Sequence, residues 1–173
     1  MPCYHSKPAW SKPSGGIDLK WRTDVEPDYW IDCNRCEGCR ARARTDWATR
    51  IHHETQMWDR NCFTTLTYDD KHLPEAIQKS DIQKFIKRLR KQTDRPIRYF
   101  AVGEYGEKTH RPHYHAIIFN EDFLSSKYHY RINDQMYGNS ELERIWGMGQ
   151  VTISLYNAAR GNYTAGYTTK KST

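Results

Sequence analysis

The sequence has no long apolar run. Mean hydropathy is −0.96, and no segment approaches the roughly 20 consecutive apolar residues that a membrane-spanning helix needs. No membrane partner is expected. There is no glycine-rich loop ending in Gly-Lys-Ser or Gly-Lys-Thr, so a P-loop ATPase is excluded. No internal repeat and no second domain is visible, and 173 residues suit a single domain with a proper core. Cysteine is scarce and odd in number, at five. Three of these fall in a tight Cys33-x-x-Cys36-x-x-Cys39 run, across which disulfides close poorly. No signal peptide precedes them, so a reducing compartment is expected. Acidic residues are in deficit: 21 Asp+Glu face 27 Lys+Arg, a net charge of +6.

A basic chain suits a polyanionic partner. Aromatics are plentiful, with 12 Tyr and 6 Trp. Flat side chains among Lys and Arg fit single-stranded nucleic acid, whose bases stack on them, although a Tyr-rich core explains the same count.

Residues 1–32 contain Pro2, Pro8, Pro13, Pro27 and the Gly15-Gly16 pair without sustained periodicity. They read as an irregular arm pinned by Trp10, Trp21 and Trp30. A first helix is expected to begin between Glu37 and Arg40, with Trp47, Ile51 and Trp58 at helical spacing. Its arginines, Arg40 and Arg44 among them, suit either a solvated face or phosphate contact. Cys62–Tyr68 reads as a strand. Ser80 with Gln83 offers a capping box for a helix whose apolar stripe is Ile82, Phe85, Ile86 and Leu89. Ile97–Glu104 and Pro112–Phe119 read as strands joined by a hairpin. Residues 120–138 read as a loop. Asn139 or Ser140 caps a short helix to Trp146, Gly149–Leu155 is a further strand, and a last helix follows Tyr156. This order predicts an α+β domain, an antiparallel or mixed sheet with helices packed on it.

His113 and His115 stand two apart on a strand, so both imidazoles point to one face while Tyr114 points away. A hairpin that pairs Glu104 with His113 and Val102 with His115 brings a carboxylate to them. Two imidazoles and a carboxylate with open positions suit a divalent ion such as Mn²⁺, with Mg²⁺ held more weakly. Tyr163 and Tyr167 are four apart and share a helix face, with Lys170 and Lys171 three and four residues beyond Tyr167. The residues around them (Gly161, Asn162, Thr164, Gly166, Thr168, Thr169) leave little apolar stripe to bury. A phenol is easier to ionise than an alcohol and is a better leaving group, which suits reversible strand cutting. A nearby lysine can stabilise the phosphate.

At these residues the sequence resembles the HUH endonucleases, specifically the replication initiators of microvirus-type single-stranded DNA phages. Phe63-Thr64-Thr65-Leu66-Thr67-Tyr68 resembles the first strand motif. Gly103-Glu104-Tyr105-Gly106 followed by Arg111-Pro112-His113-Tyr114-His115 resembles the metal motif, and Tyr163-x-x-x-Tyr167-x-x-x-Lys171 the double-tyrosine motif. Cys33-x-x-Cys36-x-x-Cys39-Arg40, with Trp47 and Arg50 behind, matches the phage branch. The tyrosines follow the histidines, unlike the order in plasmid relaxases, and their pairing separates the chain from single-tyrosine transposases.

The resemblance implies a central antiparallel sheet of ferredoxin-like or RRM-like type. It implies metal ligation by Glu104, His113 and His115 and catalysis by Tyr163, Tyr167 and Lys171; DNA contacts from Arg40, Arg44 and Lys170 are an expectation from their charge. The implied reaction is a nick at a single-stranded DNA origin that leaves a 5′-phosphotyrosine and a free 3′-OH for rolling-circle synthesis. The setting would be the cytoplasm of a host bacterium, alongside the host replication machinery. Family members continue past the point where this chain stops, so an excised nuclease domain is expected.

Cys3, Cys33, Cys36 and Cys39 suit a tetrahedral structural Zn²⁺ site, with His5 as a substitute fourth ligand. Free thiols near a helix start are the equal alternative, since there is no second Cys-x-x-Cys pair. Against the nicking enzyme stand a non-catalytic zinc-containing nucleic-acid-binding module and a metal-dependent hydrolase that uses water.

Overall fold

In chain order the elements are β1 (Lys7–Ser11), β2 (Ile17–Asp18), β3 (Tyr29–Ile31), α1 (Glu37–Gln56), β4 (Asn61–Thr67), α2 (Lys79–Gln92), β5 (Arg98–Tyr105), β6 (Pro112–Phe119), β7 (His129–Arg131), β8 (Tyr137–Asn139), α3 (Ser140–Trp146), β9 (Val151–Leu155) and α4 (Ala158–Tyr167). The computed structural model describes residues 2–20 and 24–169. Trp21, Lys170 and Lys171 lie outside the described residues. The chain divides into two compact units, Met1–Asp46 and Trp47–Thr173.

In the larger unit a six-stranded antiparallel sheet runs in the order β5-β6-β4-β9-β8-β7. β6 is buried at every position but His113, because it lies inside the sheet and both of its faces are covered. β4 instead alternates, with Cys62, Thr64 and Leu66 buried. On one face Ile82, Phe85, Ile86 and Leu89 of α2 pack with Leu142, Ile145 and Trp146 of α3 over Leu66, Tyr114, Ile118 and Val151. On the other, Ile51 of α1 and Ala165 of α4 pack with Ile117 and Phe119. The fold is therefore α+β, as the order of elements predicts.

Several local expectations are corrected. Residues 1–32 are not an irregular arm: β1 pairs with β2 and with β3 in a small antiparallel sheet. The Gly15-Gly16 pair makes a β1–β2 turn, with φ of +85° and +86° that glycine adopts freely. Trp10 is buried and its indole N–H donates to the carbonyls of Val25 and Glu26. Trp30 is largely exposed, on β3 opposite Pro8. Residues 120–138 contain β7 and the start of β8. β7 is exposed throughout, so no apolar alternation marks it.

The Ser80–Gln83 capping box does not form. α2 starts at Lys79 with Gln78 as its N-cap and no side-chain cap, and the Ser80 hydroxyl turns to Asp81. A tertiary contact sets this start. The Tyr114 phenol donates to the Gln78 carbonyl at 2.8 Å and accepts from the Gln78 N–H at 3.0 Å. α3 is capped by Asn139, whose side chain accepts from the N–H groups of Glu141 and Leu142.

Candidate active site

The β5–β6 ladder places Glu104 opposite His113 and Val102 opposite His115, the register expected from the hairpin. The β4–β6 ladder sets Thr65 opposite His115 and Thr67 opposite His113. Side chains of directly paired residues share a face, so three strands contribute to one spot. There His113 Nε2 and His115 Nε2 lie 3.2 Å apart, with Glu104 Oε2 at 3.6 Å and 3.3 Å from them. All three side chains are at most 17% exposed.

The far edges of the imidazoles are held as well. His113 Nδ1 lies 3.2 Å from the carbonyl of Arg111. A carbonyl only accepts, so Nδ1 donates there and Nε2 is the nitrogen turned toward His115 and Glu104. His115 Nδ1 is 3.0 Å from the Thr65 hydroxyl, and Phe63 stacks on the ring with centroids 5.3 Å apart. Arg111 is anchored in turn by Asp70 at 2.6 Å and the Tyr68 carbonyl at 3.0 Å. Two inward imidazole nitrogens beside a carboxylate are a donor set that fits a divalent cation.

α4 lays both tyrosines over this group. The rings of Tyr163 and Tyr167 are each in contact with His115, at 5.6 Å and 5.7 Å, and with one another at 4.8 Å. Asn157 caps the helix by accepting from the Arg160 N–H, and Gly161 lets the Tyr156 phenol approach where a Cβ would lie 2.5 Å from its oxygen. Tyr163 is half exposed, at 50%. Tyr167 is more enclosed: burial, then hydrogen bonding to Tyr163 and Glu104, push its phenol above the ordinary value. The rings of the pair therefore lie against His115 and each other, not among the buried hydrophobic residues of the core.

The structure thus brings together Glu104, His113, His115, Tyr163 and Tyr167. Lys170 and Lys171 fall outside the described residues. Arg40 and Arg44 stand on α1 within the first unit, the former half-buried and the latter exposed. Sequence reasoning missed Thr65, Phe63 and Arg111 as supports of the histidines. The alternation of β4 puts Phe63, Thr65 and Thr67 on one face, but only its pairing with β6 reveals what they meet.

A groove of about 460 Å³ was also missed. It is lined by Trp47, Arg50, Met57, Arg98 and Phe100, among others. Trp47 and Phe100 have ring centroids 5.0 Å apart, and the Arg50 guanidinium lies 5.2 Å over the indole. Arg98 pairs with Glu54 at 2.8 Å. Phe100 and Glu104 are four apart on β5 and so share a face.

In the first unit Cys3, Cys33, Cys36 and Cys39 form a second group suited to a metal, with sulfurs all within 4.8 Å of one another. His5 is not part of it. Backbone N–H groups of Arg35 and Cys36 lower the Cys33 thiol, those of Tyr4 and Cys39 bring Cys36 to about 6, and burial raises Cys39 to about 12. Cys62 is buried in β4 and stands apart from the group.

The profile of the family described as replication-associated protein ORF2/G2P matches residues 61–172. The chain is 39% identical over 154 residues to the replication-associated protein VP4 of Bdellovibrio phage phiMH2K, covering 83% of this chain and 49% of that protein. It is 36% identical over 168 residues to the replication-associated protein ORF2 of Spiroplasma virus 4, covering 87% and 52%. With the replication-associated protein ORF4 of Chlamydia phage 1 it shares 33% identity over 157 residues, covering 82% and 38%. The chain spans about half the length of these relatives, or less. No solved structure matches it.

Proposed function

The chain belongs to the replication-associated protein ORF2/G2P family, and from that premise we propose that it nicks and rejoins single-stranded DNA at a phage replication origin through a tyrosine-linked intermediate. One observation carries the reading. Two phenols stand in ring contact with His115, one of three converging metal-ligand side chains.

The oxygen of Tyr163 or Tyr167 attacks the scissile phosphorus and loses its proton. The bond from phosphorus to the 3′ oxygen breaks, and that oxygen takes up a proton. The products are a 5′-phosphotyrosine and a free 3′-OH, which host polymerase extends in the cytoplasm of the infected bacterium. A 3′-OH attacking the phosphotyrosine reverses the step, restores the phenol and needs no ATP, because the ester is conserved throughout. Tyr163, the more exposed phenol, is the one an incoming strand reaches first. Glu104, His113 and His115 would hold a divalent cation, which would supply neutralisation of charge at the phosphate. The two-imidazole, one-carboxylate set favours Mn²⁺ over Mg²⁺. Lys171, on the sequence motif, stabilises the phosphate with Lys170 beside it, and Arg40 and Arg44 contact the DNA backbone. The groove at Trp47 and Phe100 suits unpaired bases, which stack on aromatic rings whatever their identity.

The test mixes the protein with a diverse pool of single-stranded oligonucleotides and Mn²⁺ and resolves it on a denaturing gel. A slower protein band is expected, lost with EDTA and in His113→Ala. Shortened DNA without an adduct would make water the nucleophile. No cutting by a folded protein that still retains the strands would leave a binding module in place of a nuclease.

A further inference from the structure

We propose that Cys3, Cys33, Cys36 and Cys39 bind one Zn²⁺ ion as four thiolates, and that this ion holds the Met1–Asp46 unit folded. The argument begins with sulfur spacing. Cys33 Sγ and Cys39 Sγ are 3.9 Å apart, as are Cys36 Sγ and Cys3 Sγ. A disulfide would bring a pair to about 2.05 Å. Four sulfurs at about 2.3 Å from a central zinc form a tetrahedron with edges near 3.8 Å. These two separations match edges of that tetrahedron, all four sulfurs lie within 4.8 Å of one another, and all four cysteines are free.

Backbone donors surround the sulfurs as they do around bound metals. The Cys33 N–H points to Cys3 Sγ at 3.3 Å, and the Tyr4 N–H to Cys36 Sγ at 3.4 Å. Cys33 Sγ receives the N–H groups of Arg35 and Cys36, at 3.4 Å and 3.3 Å. Such donors offset negative charge on sulfur and orient each ligand. They also cross the chain, tying residues 3 and 4 to residues 33 and 36.

A third observation concerns Gly38, between the last two cysteines. A Cβ there would lie 2.1 Å from the Pro2 carbonyl oxygen. Only glycine lets the chain preceding Cys3 come this close to the start of α1, and this approach delivers the fourth sulfur.

The unit has little else to fold around. Its buried hydrophobic residues are Ala9, Trp10 and Cys39 among the described residues. Segments this short rarely bury enough apolar surface to fold unaided and commonly take a metal or disulfides instead. Four thiolates select a soft or borderline ion, and zinc fits a closed tetrahedral set.

The experiment measures metal in protein purified without chelators or metal-affinity resin, using inductively coupled plasma mass spectrometry. One equivalent of zinc per chain is expected, falling to less than a tenth in Cys36→Ser/Cys39→Ser and retained in His113→Ala. Because a cysteine variant can misfold, the wild-type protein is also exchanged with Co²⁺. Intense thiolate-to-cobalt absorption in the near ultraviolet, with visible bands of a tetrahedral ion, supports the site. Zinc retained in the double cysteine variant, iron in place of zinc, or four thiols that react freely in the folded wild-type chain would each overturn it. None of these readouts involves DNA, so the nicking reading stands or falls separately.

Discussion

Thr65 faces His115 across the β4–β6 ladder, and its hydroxyl lies 3.0 Å from Nδ1. This contact fixes which edge of the ring is turned toward Glu104. Thr65→Val keeps the shape and removes the hydrogen bond. Losing such an outer partner costs about 10- to 100-fold in metal affinity, so Mn²⁺ binding by calorimetric titration should weaken by that factor while the melting temperature changes little. Unchanged affinity would remove Thr65 from any role in holding the ring. The convergence of Glu104, His113 and His115 was legible in the sequence, because a strand's period of two and a short hairpin fix which side chains meet locally. Thr65 and Phe63 were not, since their partner on β6 lies 50 or more residues away and strand order is a tertiary fact. Ser80 shows the same limit. Its capping signal is sound as a local rule, yet the Tyr114 phenol clamps Gln78 and starts α2 two residues earlier.

Among the elements, the long periodic ones were read correctly, as were the short α3 and β9, whereas the strands of two or three residues were not. α2 carries four buried residues on one stripe, and β6 is a nearly unbroken buried run; both announce themselves by pattern. β2, β3, β7 and β8 are two or three residues long, too short to show any period. α1 shows another limit of periodicity. Trp47 sits at helical spacing from the buried Ile51, yet it is 38% exposed and stacks beside Phe100 at the groove. One prediction belongs to this pairing of helix and strand. Each base stacked on an aromatic side chain contributes about 1–3 kcal/mol, or roughly 5- to 150-fold in affinity. Trp47→Ala and Phe100→Ala should therefore weaken single-stranded oligonucleotide binding within that range. Fluorescence anisotropy at fixed salt would check this, with duplex DNA of the same length as the comparison. Equal losses for both forms would mean that the groove senses charge and not unstacked bases.

For the molecule as a whole, the same face of the larger sheet carries the ligand cluster, the two tyrosines and the aromatic groove. Strand order makes this possible, because β5, which bears both Phe100 and Glu104, forms one edge of the sheet. The net charge of +6 was readable at once and points to a polyanion, but not to a face. Charge totals carry no position, whereas the register of β5 on β6 does. The division at residue 46 is likewise invisible to composition, which runs without a break through α1.

The 4.8 Å between the Tyr163 and Tyr167 rings has an arithmetic consequence. Both phenols stand on one turn of one helix beside one side-chain cluster, so on the proposed reaction a single polypeptide would hold both nucleophiles for two successive transfers. One protein molecule should then release one closed circle, and partnership between chains should add nothing. Mixing Tyr163→Phe with Tyr167→Phe protein makes this countable. On an oligonucleotide carrying two origin sites, the mixture should yield no more circles than the sum of the two variants alone, whereas wild-type protein yields them in proportion to the number of chains added. Restoration to the wild-type yield by mixing would show that the two tyrosines of one turnover are supplied by different molecules.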